Sequence, residues 1–200
     1  MRVLGLTGGI GMGKSTAAAM LRRLSVPVHD ADAAVHALLA PGGKGVAAVA
    51  RAFPEAARDG SIDRRLLAGL VFADPLALAR LEAILHPLVR AAEMRFLKLR
   101  RRRRSTLVAL DIPLLFETGA ERRVDRVLVV SAPAFLQRRR VLARPGATPA
   151  SFAAALARQT PDAVKRRRAD EVVASGLGRA YTFRRLRAIV RREREGRCGK

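Results

Sequence analysis

The sequence predicts a three-layer α/β fold on a parallel sheet, and two observations carry that prediction. The first is the start of the chain. The apolar run Val3-Leu4-Gly5-Leu6-Thr7 enters the glycine-rich turn Gly8-Gly9-Ile10-Gly11-Met12-Gly13-Lys14-Ser15-Thr16, which opens into the helix-forming run Ala17-Ala18-Ala19-Met20-Leu21. The second is the recurrence of short, continuously apolar runs at 106–111 and 126–130, separated by helical stretches. Runs without polar alternation suit strands buried on both faces, and strands alternating with helices imply parallel crossovers.

Gly8, Gly13, Lys14 and Ser15 fill the phosphate-loop pattern G-x-x-x-x-G-K-[ST]. Glycines let backbone N–H groups converge on phosphate oxygens where a side chain would clash. The helix that follows points its positive end at the same anion. Lys14 is expected to reach the β- and γ-phosphates, and the Ser15 hydroxyl to ligate magnesium. The chain is therefore expected to bind a nucleoside triphosphate through Gly9, Ile10, Gly11, Met12, Gly13, Lys14, Ser15 and Thr16.

Two hundred residues suit one domain, or one core with small insertions. Hydrophobic content of 50% with 4% aromatics supplies a core of Leu, Val and Ala. No apolar run is long enough to span a bilayer and the N-terminus lacks a signal-peptide layout, so a cytoplasmic protein is expected. The single cysteine, Cys198, excludes an internal disulfide and a thiol metal site. The net charge of +22 and the run Arg100-Arg101-Arg102-Arg103-Arg104 suggest polyanion partners. Yet no aromatic residues interleave with the run as stacking platforms, and heavy use of Ala and Arg throughout raises the charge without selective meaning. Solvated or ligand-facing arginines are expected rather than a nucleic-acid surface.

In chain order, a strand is expected at 2–7, a helix at about 14–24, and a short extended segment at 26–29, where Pro27 favours an edge strand. Helices follow at 33–39 and about 44–53. Residues 61–99 read as mostly helical, with no strand among them, Ser61 capping one helix, Asp74-Pro75 opening another, and His86-Pro87 breaking it. Strands return at 106–111 and 126–130. Residues 133–168 form an arginine-rich helical stretch broken at Pro145-Gly146, before a last strand at 171–174 and a closing helix at 181–194. The expected core is thus about 1–40, 105–132 and 169–200, with a helical insertion at about 41–104.

Asp30 and Asp32 follow the second strand, at the sheet edge where ligands bind. In an extended segment a spacing of two points both side chains the same way, and one is placed to act as general base on an acceptor hydroxyl. The competing reading makes Asp32 the N-cap of the helix starting at Ala33. Asp111, ending an apolar strand, suits a magnesium-holding carboxylate or a plain strand end. Glu117 suits substrate or structure equally. Among the arginines of 133–168, Arg140 and Arg144 are the first candidates to stabilise charge on a transferring phosphoryl group. His86 is ambiguous between structure and catalysis.

Taken together these residues resemble the dephospho-CoA kinase family over about residues 2–178. The resemblance rests on the loop 6–16, on Asp30-Ala31-Asp32, His86-Pro87-Leu88, Pro113-Leu114-Leu115-Phe116-Glu117 and 126–130, and on Gln137-Arg138-Arg139, Arg158-Gln159 and Ala169-Asp170. It implies ATP-dependent phosphorylation of the ribose 3′-hydroxyl of dephospho-CoA with Mg2+, on a P-loop NTPase core with a helical CoA-binding insertion and a lid at about 133–168. It also implies Asp32 as base, Lys14 and Ser15 as phosphate and magnesium ligands, and an acceptor side lined by Thr7, His86, Pro113, Leu114 and Glu117. Met12 departs from the small residue usual in the loop, and Ser175 stands where asparagine is common. A nucleoside or nucleotide kinase, or a nucleic-acid-associated P-loop ATPase, are the alternative readings.

Overall fold

The computed structural model describes residues 1–72 and 74–196; Cys198 lies outside them. Along the chain run β1 (Arg2–Thr7), α1 (Lys14–Arg23), β2 (Val28–Asp30), α2 (Ala31–Leu39), α3 (Val46–Ala52), β3 (Ala57–Arg58), β4 (Ser61–Ile62), α4 (Arg64–Phe72) and α5 (Pro75–Arg102). Then come β5 (Leu107–Asp111), β6 (Arg126–Ser131), α6 (Ala134–Leu142), α7 (Pro149–Ala157), α8 (Asp162–Arg168), β7 (Glu171–Ala174) and α9 (Arg179–Glu195). The chain divides into two compact units, Met1–His29 with the chain from Arg100 onward, and Asp30–Leu99.

The first unit is built on a sheet of order β2-β5-β1-β6-β7. β1 pairs in parallel with β5 on one side and β6 on the other, and β6 pairs in parallel with β7. Successive side chains alternate across the pleat. Leu4, Leu6, Ala109, Leu128, Val130 and Val173 therefore meet Ala17, Ala18 and Leu21 of α1 and Leu186, Ile189 and Val190 of α9 in one cluster. On the opposite face a Cβ at Gly5 would run into Leu115 and Val124, and α8 packs against β6. Both faces are covered, which is why the strands read as unbroken apolar runs. β2 lies at the sheet's edge, as Pro27 requires: its carbonyl accepts from Ala109 N at 2.9 Å, while it has no N–H to give.

The basic C-terminal stretch has a structural use. Arg194 donates to the Leu24 and Ser25 carbonyls at the end of α1, Arg192 pairs with Glu171, and the buried Glu193 pairs with Arg2 at 2.7 Å. The arginine run ends α5. Arg100, Arg101 and Arg102 form its last turn, where cations oppose the negative end of the helix dipole. Arg104 then turns left-handed (φ 53°), with Arg104 N bonded to Arg101 O and Ser105 N to Arg100 O, the hydrogen-bond pair of a Schellman stop.

The second unit has its own apolar centre, including Leu39, Val49, Phe53, Ile62, Leu67, Leu81 and Leu85. Three expectations fail here. Residues 61–62 are not helical but pair with 57–58 in a small antiparallel hairpin, closed by Asp59-Gly60 with positive φ at both. The cap of α4 is consequently Asp63, whose Oδ1 accepts from Arg65 N and Leu66 N, rather than Ser61. Those two N–H bonds hold the exposed Asp63 carboxyl below its ordinary pKa. Finally, α5 runs straight through His86-Pro87 for 28 residues. Proline removes one helical hydrogen bond, a cost of about 3 kcal/mol, and burial of Leu81 and Leu85 before it and Leu97 after it outweighs that loss.

Because Leu128 is fully buried (0% exposed) in the central sheet, Leu128→Ala should cost about 2–5 kcal/mol of stability, read by urea denaturation; a loss under about 0.5 kcal/mol would contradict this packing.

Candidate active site around the phosphate loop

The loop between β1 and α1 leaves the central strand at the point where strand order reverses, the position at which open α/β sheets bind ligands. Two of its glycines are dictated by geometry. A Cβ on Gly8 would lie 2.5 Å from the Val130 carbonyl oxygen, and Gly13, the residue before α1, has φ 91°, a backbone that favours glycine. No side chain caps α1, so its first N–H groups remain available to an anion.

Lys14 is held by a carboxylate: Nζ donates to Asp111 Oδ1 at 2.6 Å, and Asp111 is 2% exposed at the end of β5. Two residues that the sequence singled out separately are thus one ion pair. Ser15 is exposed in the first turn of α1. Thr7 ends β1 buried, its Oγ1 donating to Pro113 O at 3.0 Å, which ties the loop's entrance to the segment after β5. Leu114 is 38% exposed beside it.

The outside of the loop is gripped by side chains from the second half of the chain. Arg140 on α6 donates to Gly11 O (3.4 Å), Ser175 Oγ (2.9 Å) and Ser175 O (3.0 Å). Ser175 Oγ donates to Met12 O at 2.6 Å. Met12 turns inward, 2% exposed, and its Sδ accepts from Ala132 N at 3.1 Å. The bulk that set Met12 apart in the sequence is therefore packed under the loop, not projected into the nucleotide's space. Arg144 is exposed just beyond α6.

A family model described as dephospho-CoA kinase matches residues 2–178. The chain belongs to the dephospho-CoA kinase family. A dephospho-CoA kinase of Paramagnetospirillum magneticum is 68% identical over 166 residues, 83% of this chain and 78% of the relative. Among solved structures, TT1252 from Thermus thermophilus superposes with a TM-score of 0.82 at 42% identity, covering 95% of this chain and 96% of that one. A dephospho-CoA kinase from Campylobacter jejuni, at 23% identity, shares the fold with a TM-score of 0.74 over 98% of both chains.

Within the family's pattern, the Asp30-Ala31-Asp32 segment differs from expectation. Asp30, not Asp32, is the N-cap: its Oδ1 accepts from Ala33 N at 3.0 Å. The helix starts two residues early, so the two carboxylates do not share an extended face; Asp32 stands exposed in the first turn of α2. His86 is exposed on α5.

Glu117, left open between substrate and structure, makes structural contacts here. Its Oε1 accepts from Thr160 N at 2.7 Å and pairs with Lys165 Nζ at 2.8 Å. Lys165 is 0% exposed, a fully buried ammonium hidden in the sequence run Lys165-Arg166-Arg167-Arg168, which reads as surface charge. Ser131 Oγ donates to Asp162 Oδ2 at 2.7 Å, fastening the start of α8 to β6. Gln137 and Gln159 also reach the loop, and no spacing rule would have picked out either.

Burial pushes the Glu117 carboxyl up, but the Lys165 ammonium and the Thr160 N–H outweigh it and hold its pKa below the ordinary 4.5. A depressed carboxylate stabilises the fold fully above its unfolded pKa and loses that contribution as pH falls through the folded value. Wild type and Glu117→Gln should therefore differ in melting temperature near neutral pH and converge as pH falls through the lowered pKa of Glu117, below its ordinary 4.5; a gap that persists unchanged in acid would contradict the pair.

Proposed function

We propose that this chain transfers the γ-phosphoryl group of ATP to the ribose 3′-hydroxyl of dephospho-CoA, giving CoA and ADP. The observation that carries this reading is the uncapped phosphate loop on the central strand, with Lys14 at its mouth, in a chain whose family match spans residues 2–178. In the reaction the acceptor oxygen bonds to the γ-phosphorus as the bond to the β–γ bridging oxygen breaks, and the acceptor proton leaves to a base.

Backbone N–H groups of the loop and of the first turn of α1, other than those of Ile10 and Met12, which Gln159 and the Gly9 carbonyl hold, cradle the β- and γ-phosphates, and Lys14 exchanges Asp111 for phosphate oxygens. Among the described residues no cluster of three or more His, Cys, Asp or Glu is placed to hold a metal ion. That suits magnesium, which is typically bound by one or two protein oxygens together with substrate phosphates. Ser15, exposed at the helix start, and Asp111, a buried carboxylate paired with Lys14, fit that donor set. The metal would supply charge neutralisation on the β- and γ-oxygens.

Asp32 is the proposed base. It is an exposed carboxylate two residues past β2, free of the capping duty that Asp30 performs. Arg140, whose head group is already beside the loop, and Arg144 stabilise the charge that develops on the transferring group. Thr7, His86, Pro113, Leu114 and Glu117 line the acceptor side, Glu117 by fixing the segment at 160. Residues 41–104 receive the CoA moiety and 133–168 act as the lid. No helix among the described residues is long and apolar enough to cross a membrane, and we place the protein in the cytoplasm. The helix-stop role of the arginine run gives it a use that needs no nucleic acid.

Asp32→Asn should lower turnover about 10²–10⁴-fold while ATP binding, followed by calorimetry, stays close to wild type. Near-normal ADP release with dephospho-CoA would remove Asp32 as base, and wild-type activity on nucleosides with none on dephospho-CoA would overturn the acceptor assignment.

A further inference from the structure

The phosphate-loop pattern accounts for Gly8, Gly13, Lys14 and Ser15, but not for Gly9, Gln137 or Gln159. In the structure these three meet at one residue, Ile10, where the glutamines reach the two peptide groups that flank its Cα. Gln137 Nε2 donates to Ile10 O at 2.9 Å, and Ile10 N donates to Gln159 Oε1 at 3.0 Å. The two peptide groups flanking Ile10 fix which end each glutamine presents, because a carbonyl only accepts and an N–H only donates. Gln137 is buried on α6, whereas Gln159 lies just past α7, so the two arms come from separate segments. A Cβ on Gly9 would stand 3.3 Å from both Gln137 Nε2 and Gln159 Oε1. A side chain there would wedge the two arms off the loop.

Gln159 is itself anchored. Its neighbour Thr160 donates to Glu117, and Glu117 is locked by the buried Lys165. The outward carbonyls that follow in the loop, Gly11 and Met12, are taken by Arg140 and Ser175. Carboxamides suit the Ile10 position, the part of this array flanking the pocket of about 240 Å³ that includes Gly9, Gln137, Gln159 and Lys165. They supply one donor and one acceptor without adding charge beside a triphosphate.

We propose that Gln137 and Gln159 are positioning residues that set the orientations of the two peptide groups flanking Ile10, and through them the array of loop amides that receives the phosphates. Seating of α6 and of the α7–α8 turn and shaping of the loop are then one event. This rests on the reading that the loop at 8–15 binds ATP phosphates. It makes the two glutamines respond oppositely to one substitution. Gln159→Glu keeps an acceptor for Ile10 N–H. Gln137→Glu replaces a donor with a carboxylate facing a carbonyl oxygen.

The test uses the full chain and two readouts. Amide hydrogen exchange of residues 9–13 in the nucleotide-free protein should match wild type in Gln159→Glu and speed up in Gln137→Glu and Gln159→Leu, with the sheet amides unchanged. KM for ATP should rise about three- to tenfold in Gln137→Glu and Gln159→Leu, the range expected for one lost hydrogen bond, with KM for dephospho-CoA within about twofold. Equal exchange in Gln137→Glu and Gln159→Glu, or wild-type loop protection in Gln159→Leu, would overturn the proposal. If Gln137→Glu does not fold, the Gln159→Glu and Gln159→Leu pair decides it alone. Failure of the functional reading would show in the wild type, as absence of ATP binding, whereas the exchange readout needs no nucleotide.

Discussion

A loop that turns N–H groups towards an anion turns carbonyls outward, and here, besides Gly9 O, which accepts from Met12 N at 3.1 Å, the carbonyls of Ile10, Gly11 and Met12 take their donors from elsewhere in the fold. Much of this structure is arranged to meet that one requirement. Gly8 sits flat against the Val130 carbonyl, and Ile10, Gly11 and Met12 hand their oxygens to Gln137, Arg140 and Ser175. The side chain of Met12, the one bulky departure in the motif, becomes a peg beneath the loop, with its sulfur on the Ala132 N–H. The groups that grip the loop come from residues 132–175, more than a hundred residues away in sequence. The loop is therefore a product of the tertiary fold and not a local motif alone.

The charge of the chain takes on a similar meaning. A net +22 looks like an invitation to polyanions, yet several of the cations have intramolecular uses. Lys165 is buried against Glu117, Arg2 pairs with Glu193, Arg194 finishes α1, and the arginine run finishes α5. Lys14 and Asp111 hold each other at 2.6 Å, so in the proposed reaction phosphate and metal replace partners of matching charge, and neither residue has to wait unpaired in a nearly buried site. Breaking such a buried pair without replacement would be costly. That makes nucleotide and metal natural joint occupants.

The sheet was readable because each strand is buried on both faces and so shows as an unbroken apolar run, and the loop because its glycine spacing is a direct trace of backbone geometry. What escaped the sequence has physical reasons. The helix through Pro87 was misread because a single missing hydrogen bond is a local signal, while the packing that outweighs it is not. The hairpin at 57–62 is too short to carry alternation, and its consequence, Asp63 as cap in place of Ser61, followed from it. Asp30 rather than Asp32 caps α2, because the start of a helix depends on which carboxylate finds an N–H, here Ala33. Gln137 and Gln159 stood in the sequence only as matches to the family's pattern, with no role attached, because a lone carboxamide has no spacing signature; Lys165 was silent, because a lysine among arginines looks solvated until the fold buries it.

The central claim is the chemical identity of the product, and phosphorus NMR of a reaction containing ATP, magnesium and dephospho-CoA reads it directly. The account predicts growth of one new phosphomonoester resonance, assigned to the ribose 3′ position, in step with conversion of ATP to ADP. ATP consumption that yields only inorganic phosphate, or a phosphomonoester at any other position of the acceptor, would contradict it.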